Sequence, residues 1–397
     1  MTTPSSSSTP SALSASDINT ENGYASNQQM SFDDAVVRSL AGAPGTGTTI
    51  SMALLRGKSR KSVLHYTAPK QNANLSNDFP GVPTASIWEV YVDPGVYLWS
   101  DSTALPGLTT GTSSWPVGLN IINQGYIIGK GGDGAAVNGY NGFDPSPTNG
   151  FAYGFPGGPA LELKHPATID NTNPAAYIAG GGGGGMCGRG ANLYRVSGGG
   201  GGAGGGKGGD GFGGWPPSTA YSQAISPKGP SAGGAGGAIG QKGADGSARW
   251  QAGGGGGRQL PGAFTGPPGG LYQRRPNGMG GFGGGAGGGS GPGQGWGYTD
   301  STRTNVAWGQ GSVASLSDGG SANNPGQRSW STGIGPTGGG GWGAPGGGYD
   351  ATTRSYFNGP AVQGTYAGAP GGKAVTLNGY TVTFINNDQT RVWGAVA

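Results

Sequence analysis

The chain has 397 residues, room for two or three domains, yet only 33% are hydrophobic and only 10% charged. Glycine accounts for 94 positions and proline for 29, a composition usual in disordered chains, but 10 Trp, 16 Tyr, 10 Phe and a net charge of only +4 favour collapse. Scattered Lys and Arg exclude a basic nucleic-acid groove. Cys187 alone excludes an internal disulfide or a Cys-based zinc site. No apolar run approaches the roughly 18 residues of a membrane span, and the first thirty residues lack the basic and apolar regions of a signal peptide.

Residues 1–62 read as an N-terminal segment with short helices behind a Ser/Thr/Pro lead. Ser31 and Asp34 have capping-box spacing. Ala35, Val36, Val37 and Leu40 supply an apolar face, and Gly42 ends the helix. A second short helix is predicted from near Thr49 through Met52, Leu54 and Leu55 to Gly57. Neither is stable alone, so each needs a partner surface. The basic cluster from Arg56 to Lys61 reads as a solvated turn.

Residues 63–128 read as a small β-domain. Ser86 to Val92 and Val96 to Trp99 are β-rich runs around the turn signal Asp93-Pro94-Gly95. Leu119 to Ile122 and Tyr126 to Ile128 continue the pattern. Residues 129–372 form a glycine-rich domain, with an unbroken run from Gly180 to Gly185 and ring-bearing segments between tracts. A faint repeat links Ile122 to Gly129 with Ile169 to Gly180, a β-like segment feeding a glycine tract each time, which suggests stacked units. In residues 373–397, Asn378-Gly379 between alternating runs predicts a C-terminal β-hairpin.

Ordering glycine costs about 0.5–1 kcal/mol per residue relative to alanine, so long tracts need a collective offset. Polyglycine II helices supply one. With three residues per turn and no internal bonds, each directs its N–H and C=O groups at neighbours. Collagen register is broken by the segment Met186 to Leu193, and a disordered linker is the remaining alternative. The expected fold class is therefore mostly β and irregular: a short helical N-terminal anchor, a small β-domain, a glycine-rich polyglycine II helix bundle or β stack, and a C-terminal β-hairpin.

Ser14 to Glu21, Ser31 to Arg38, Leu40-Ala41-Gly42 and Ile50 to Ser59 resemble an N-terminal motif of tailed-bacteriophage structural proteins. Asn120 through Gly185 is similar to the glycine-rich domain of phage tail proteins, and Gly371 to Val375 with Trp393 to Ala395 is similar to their C-terminus. The architectural analogues are the T-even phage tip adhesins, which present receptor-binding loops on polyglycine II helices. The resemblance implies a virion protein of the tail tip or tail fibre, assembled in the host cytoplasm. It would attach to other tail proteins by its N-terminus, through Ile18, Phe32, Val36, Leu40, Met52, Leu55 and Arg56. Its further partner would be a host cell-surface receptor, an outer-membrane protein or a glycan. No nucleic-acid partner or membrane insertion is expected. A homotrimer is open to it, although no heptad repeat demands one.

Aromatics set among Ser, Gly and Asn are the makings of a binding loop. The receptor-contact candidates are Trp215, Tyr221, Trp250, Phe264, Tyr272, Trp296, Tyr298, Trp308, Trp330, Trp342, Tyr349 and Tyr356. The competing reading has about two thirds of them covering the edges of the glycine bundle. No enzyme, cofactor or metal site is expected. Glu162 and His165 would face opposite sides of a strand, and two isolated histidines make neither a metal site nor a triad. Spellings of a dinucleotide fingerprint at Gly129 to Gly134 and of a phosphate loop near Gly201 to Lys207 are chance in so glycine-rich a chain. A purely structural tail component is the alternative function, and a surface-polysaccharide depolymerase a more distant one.

Overall fold

The computed structural model describes residues 14–21, 25, 27–41, 49–55, 61–79, 87–112, 118–135, 153–186, 188–190, 195–210, 212–213, 232–241, 243–244, 256–258, 333–334, 339–347, 349–350, 365–366 and 368–397. Helices α1 (Ala15–Glu21) and α2 (Ala35–Leu40) begin from one device. The Ser14 N–H and hydroxyl donate to the Asp17 carboxylate, both at 2.8 Å, and the Asp17 N–H donates back to Ser14 Oγ at 3.1 Å. The Ser31 N–H donates likewise to the Asp34 carboxylate at 2.8 Å. Such boxes satisfy amides that a first helical turn leaves open. The bonds from Ser14, the backbone one foremost, hold the Asp17 carboxyl below the usual carboxylate range. With α3 (Met52–Leu55) the two helices build a small core of their own from Ile18, Val37, Leu40, Ala41, Ile50 and Leu55. The partner surface each short helix needs is thus, in part, the other helices.

From Lys61 the chain winds into stacked coils. The first holds β1 (Lys61–Tyr66), β2 (Lys70–Gln71) and β3 (Ala73–Asn74), followed by the single turn α4 (Leu75–Asp78). The second holds β4 (Ile87–Val92), β5 (Tyr97–Trp99) and β6 (Leu108–Thr109). The third holds β7 (Leu119–Asn123), β8 (Tyr126–Ile128) and β9 (Leu161–Glu162), and β10 (Ala167–Asp170) and β11 (Tyr177–Ala179) begin the fourth. Within the glycine-rich region, β12 (Gly188–Gly190), β13 (Arg195–Ser197), β14 (Phe212–Gly213) and β15 (Gly333–Ile334) make a four-stranded antiparallel sheet, and β16 (Tyr349–Asp350) pairs with β17 (Thr365–Tyr366). The chain then returns: β18 (Val375–Thr376) completes the fourth coil, and β19 (Val382–Phe384) and β20 (Val392–Trp393) form the fifth.

Corresponding strands of successive coils pair in parallel, giving three sheets of order β1-β4-β7-β10-β19, β2-β5-β8-β11-β20 and β18-β9-β6-β3. This is a parallel β-helix. Its interior is a set of stacked apolar columns. Val90, Ile121, Ile169 and Phe384 stand in register in the first sheet, Leu98, Ile127, Ile178 and Val392 in the second, and Leu108, Leu161 and Val375 in the third. All are buried, and each contributes roughly 1.5–3 kcal/mol by leaving water. Asn123 and Asn171, both buried, stack at the corner between the first two sheets, with the Asn123 amide donating to Asn171 Oδ1 at 2.8 Å.

The faint sequence repeat is two coils in register: Ile121 pairs with Ile169 and Tyr126 with Tyr177. The turn at Asp93-Pro94-Gly95 is present, with the Val96 N–H donating to Asp93 O at 3.0 Å. Its flanking strands nevertheless belong to different sheets. The C-terminal expectation is corrected in the same way. Asn378 and Gly379 do turn, at φ 50° and 84°, but β18 pairs with β9 and β19 with β10, so the two runs form no hairpin ladder. The ladders also cross residues 128 and 373, so the expected β-domain and the C-terminal run are parts of one stack.

The glycine tracts leave the β-helix at one corner, as direct continuations of β8 and β11 into Gly129 and Gly180, while β20 passes into the single Gly394 and Ala395 to Ala397 bond back to Val375. The parallel ladder carries over by one step. Gly129 N–H donates to Ala179 O and Gly180 N–H to Trp393 O, both at 2.9 Å. Beyond that the bonding repeats every three residues. Gly181 and Gly184 donate to Gly158 and Phe155, while Gly182 and Gly185 donate to Ala203 and Gly200, all at 2.8–2.9 Å. In return Gly132 and Ala135 donate to the carbonyls of Gly182 and Gly185 at 2.8 and 2.9 Å, and Gly340 and Gly343 to those of Gly183 and Gly180 at 2.8 and 2.6 Å. Neighbouring rods follow the same rule, as where Phe155 and Gly158 donate to Asp133 and Lys130. The run 180–185 is thus surrounded by bonded chain: all six of its N–H groups and the carbonyls of Gly180, Gly181, Gly182, Gly183 and Gly185 bond to main chain, without side chains.

This packing leaves no room for a Cβ. One added at Gly183 would lie 1.9 Å from the Ala369 carbonyl oxygen, whereas one at Gly118 would meet nothing within 4 Å. Gly118 has φ 53°, where alanine costs about 1–2 kcal/mol by backbone strain alone. Chemical denaturation is therefore expected to show Gly118→Ala losing about that much and Gly183→Ala losing about 3 kcal/mol or more, at or beyond the top of the usual overpacking range.

Candidate functional site

The glycine block meets the β-helix along a column of rings. On the second sheet Leu98, Ile127 and Ile178 point inward, so Tyr97, Tyr126 and Tyr177 point out, in register. Their ring centres are 4.6 and 4.8 Å apart, Trp393 follows 5.0 Å from Tyr177, and Trp342 stands 6.4 Å from it. Ala203 and Trp342, from two glycine segments, close over this column. Ring pairs of this kind add about 0.5–1.5 kcal/mol each beyond burial. Burial, then the neighbouring Tyr126, pushes the Tyr97 hydroxyl up to about 12, and burial lifts that of Tyr177 well above the usual range. The Tyr177 hydroxyl is buried with no hydrogen-bond partner among the described residues.

Beside the ring column lies a shallow depression of about 320 Å³ lined by Asp101, Ser102, Thr103, Lys130, Asp133 and Phe155. Its charged groups are engaged structurally. The Lys130 ammonium donates to the Gly205 carbonyl, Asp133 accepts the Lys207 N–H at 2.7 Å, and Asp101 pairs with Arg258. The residues considered for chemistry lie apart in surface roles. Glu162 accepts from Thr109 Oγ1 at 2.9 Å, His165 stacks on Tyr380, and His65 stacks on Tyr91 while bonding Asp93 at 3.0 Å.

Of the anchoring candidates, Ile18, Leu40 and Leu55 are buried in the helical cluster, with Met52 half-buried against it. These side chains hold the segment together instead of facing outward. Phe32 is exposed, at 38%, and so is Leu54, at 42%, which was not among the candidates. Adjacent residues of one helical turn cannot share a face, so the burial of Leu55 leaves Leu54 outside. Val36 lies on α2, but its side chain, like all of Arg56, is outside the described residues.

Among the ring candidates, Trp342 is corrected: it is 2% exposed and belongs to the seam. Tyr349 sits on β16 opposite Tyr366. Trp215, Tyr221, Trp250, Phe264, Tyr272, Trp296, Tyr298, Trp308, Trp330 and Tyr356 lie outside the described residues. Three exposed rings were missed: Tyr380 at 39%, which stacks on His165, and Tyr153 at 49% with Phe155 at 59%. The signal was available for the last two, since Phe151-Ala152-Tyr153-Gly154-Phe155 has the same ring-and-glycine composition as the candidate segments.

A parallel β-helix bearing a laterally bonded block of glycine segments defines a structural protein of repetitive, fibrous type. A family model, the phage tail fibre adhesin Gp38, matches residues 61–265, just over half of the chain, and the chain belongs to that family. It is accordingly a tail-fibre component of the virion. Among solved structures, the gp37–gp38 adhesin tip complex of the long tail fibre of bacteriophage S16 aligns over 96% of this chain and 97% of that one, with 15% identity and a TM-score of 0.39. No curated protein matches the chain in sequence.

Two outcomes follow for the seam. Tyr177→Phe removes an unsatisfied buried hydroxyl and is expected to leave stability unchanged or raise it by about 1 kcal/mol, whereas Trp342→Ala should cost about 3–5 kcal/mol, both read by thermal denaturation. Alkaline titration supplies the second. The folded-state pKa values of Tyr97 and Tyr177 are raised, so the unfolded chain releases protons first. Stability is then whole below about pH 10 and falls as pH rises toward about 12. Tyrosinate absorbance of the folded protein should lag behind that of the unfolded chain over that window, and the loss should shrink in Tyr97→Phe.

Proposed function

We propose that this protein is the receptor-contacting tip of the fibre. The N-terminal helical cluster docks on other tail-fibre proteins, the glycine block is a polyglycine II bundle, and the ring-bearing segments between its rods bind a host-surface receptor, an outer-membrane protein or a glycan. The observation that carries the reading is the three-residue bonding period around Gly180 to Gly185. Three residues per turn without internal bonds is the polyglycine II geometry. A lattice that fixes both ends of each intervening segment lowers the ordering cost those segments pay on binding. The proposed units are a virion-anchoring segment over 1–62, the β-helix, and a glycine-rich display region drawn from 129–372, with synthesis and assembly in the host cytoplasm. Membership of an adhesin family supports a non-catalytic role.

Purified full-length protein is expected to bind host cells and to block phage adsorption in competition. Substitution of Trp250 and Trp296 by alanine should weaken both while leaving thermal stability unchanged. If the protein binds no cells and loop substitutions only stop fibre assembly, a purely structural role replaces the adhesin one. Release of reducing sugar from capsule or lipopolysaccharide would instead revive the depolymerase. The docking half has its own test. Phe32→Asp with Leu54→Asp should lower incorporation into the fibre by roughly tenfold or more, since docking would then bury two unpaired carboxylates, without loss of cell binding.

A further inference from the structure

Among the described residues of the glycine-rich region, Arg258 is the charged side chain that is buried. Its side chain is 7% exposed. Nε donates to the Gly204 carbonyl at 3.0 Å, Nη2 donates to the Ser100 carbonyl at 3.3 Å and to the Asp101 carboxylate, and the guanidinium lies 4.7 Å from the centre of the Trp99 ring. Its backbone is engaged as well. The Arg258 N–H donates to Gln241 O at 2.9 Å, Gly240 N–H donates to Arg258 O at 3.0 Å, and Gly204 N–H donates to Gly257 O at 2.9 Å. Gly205, at φ +81°, makes the room: a Cβ there would stand 2.7 Å from Nε. One residue therefore ties the rod at 204–205 and the segments 237–241 and 256–258 to the β5 end of the β-helix.

Burying a cation is costly unless hydrogen bonds and an opposite charge offset it. A planar fork that sends Nε and Nη2 to two carbonyls and a carboxylate while stacking on indole supplies that offset, and an ammonium in its place would not. Next to it the Lys130 ammonium bonds Gly205 O; burial, then Arg258, lowers its pKa. The charges of Asp133 and Asp101 act the other way and offset the repulsion between the two cations. In sequence, Arg258 closes the segment that carries Trp250 and opens the one that carries Phe264, Tyr272, Trp296, Tyr298 and Trp308.

We infer that Arg258 is a positioning residue, a pin that sets the register of the outer glycine segments on the β-helix and thereby fixes the roots of the two flanking ring-bearing segments. The last step rests on the receptor-contact reading above; the pin itself does not. The test compares full-length wild type, Arg258→Ala, Arg258→Lys and Asp101→Asn by peptide-level amide hydrogen exchange and by binding to host cells. In Arg258→Ala, exchange over 199–210 and 232–244 should rise about tenfold or more while exchange over 177–186 stays within about twofold, the signature of local rather than global opening. Cell binding should fall in parallel. Arg258→Lys should resemble Arg258→Ala, because charge alone does not restore the fork. Asp101→Asn should give a smaller rise over the same peptides, and it carries the test if Arg258→Ala does not fold. The pin is overturned if Arg258→Ala leaves the two peptides unchanged, if the rise spreads equally to 177–186, or if Arg258→Lys behaves as wild type. Wild type that binds no cells would defeat the adhesin reading, and the exchange contrast would still decide the pin.

Discussion

Everything in this molecule depends on the obligation of backbone N–H and C=O groups to find partners. In most folds side chains form the core and the backbone bonds follow. Around Gly180 to Gly185 the order is reversed: main-chain bonds to surrounding rods satisfy the chain, and the missing side chains let those rods approach. A Cβ at Gly181, Gly183 or Gly184 would lie 1.9 Å from a neighbouring carbonyl oxygen, so the spacing of the block is itself set by glycine. The entropy that glycine loses on ordering is offset collectively, since each rod serves several neighbours at once.

The β-helix supplies what such a lattice cannot supply for itself, a defined start. The strands β8, β11 and β20 are already in register when they pass into Gly129, Gly180 and Gly394, and the ladder runs on for one bond on the glycine side. The tyrosine column beneath Ala203 and Trp342 adds apolar contact at the junction, and the Arg258 fork adds directional contact further out. Both parts stack units by main-chain bonding, so a rigid body is built from a chain with few apolar residues. Rigidity of that kind is what the proposed display role requires, because segments held at both ends lose less freedom on binding.

Much of this was legible in the sequence, for identifiable reasons. The alternation in Leu119 to Ile122 and the pairing of Ile122–Gly129 with Ile169–Gly180 reported strands and their stacking. Ser31 and Asp34 reported a helix start. Local signals failed where partner choice was non-local. Asp93-Pro94-Gly95 and Asn378-Gly379 turn as expected, but a turn motif cannot say whether its flanks pair with each other or with other coils. The return of residues 375–397 to a stack begun at Lys61 leaves no local trace. At the candidate sites composition marked ring-rich segments but not exposure. Trp342 is interior while Tyr153 and Phe155 are outside, because which rod covers the tyrosine column is decided by the lattice. Arg258 escaped notice because an arginine after a glycine tract looks like a solvated residue until its partners are seen.

Chain without side chains is held rigid here by its own main chain. Amide hydrogen exchange over 180–185 in the intact protein tests it most directly. Exchange as slow as that of the strands around Ile127 and Ile178 is the predicted result. Exchange at the rate of an unstructured glycine peptide would contradict the account.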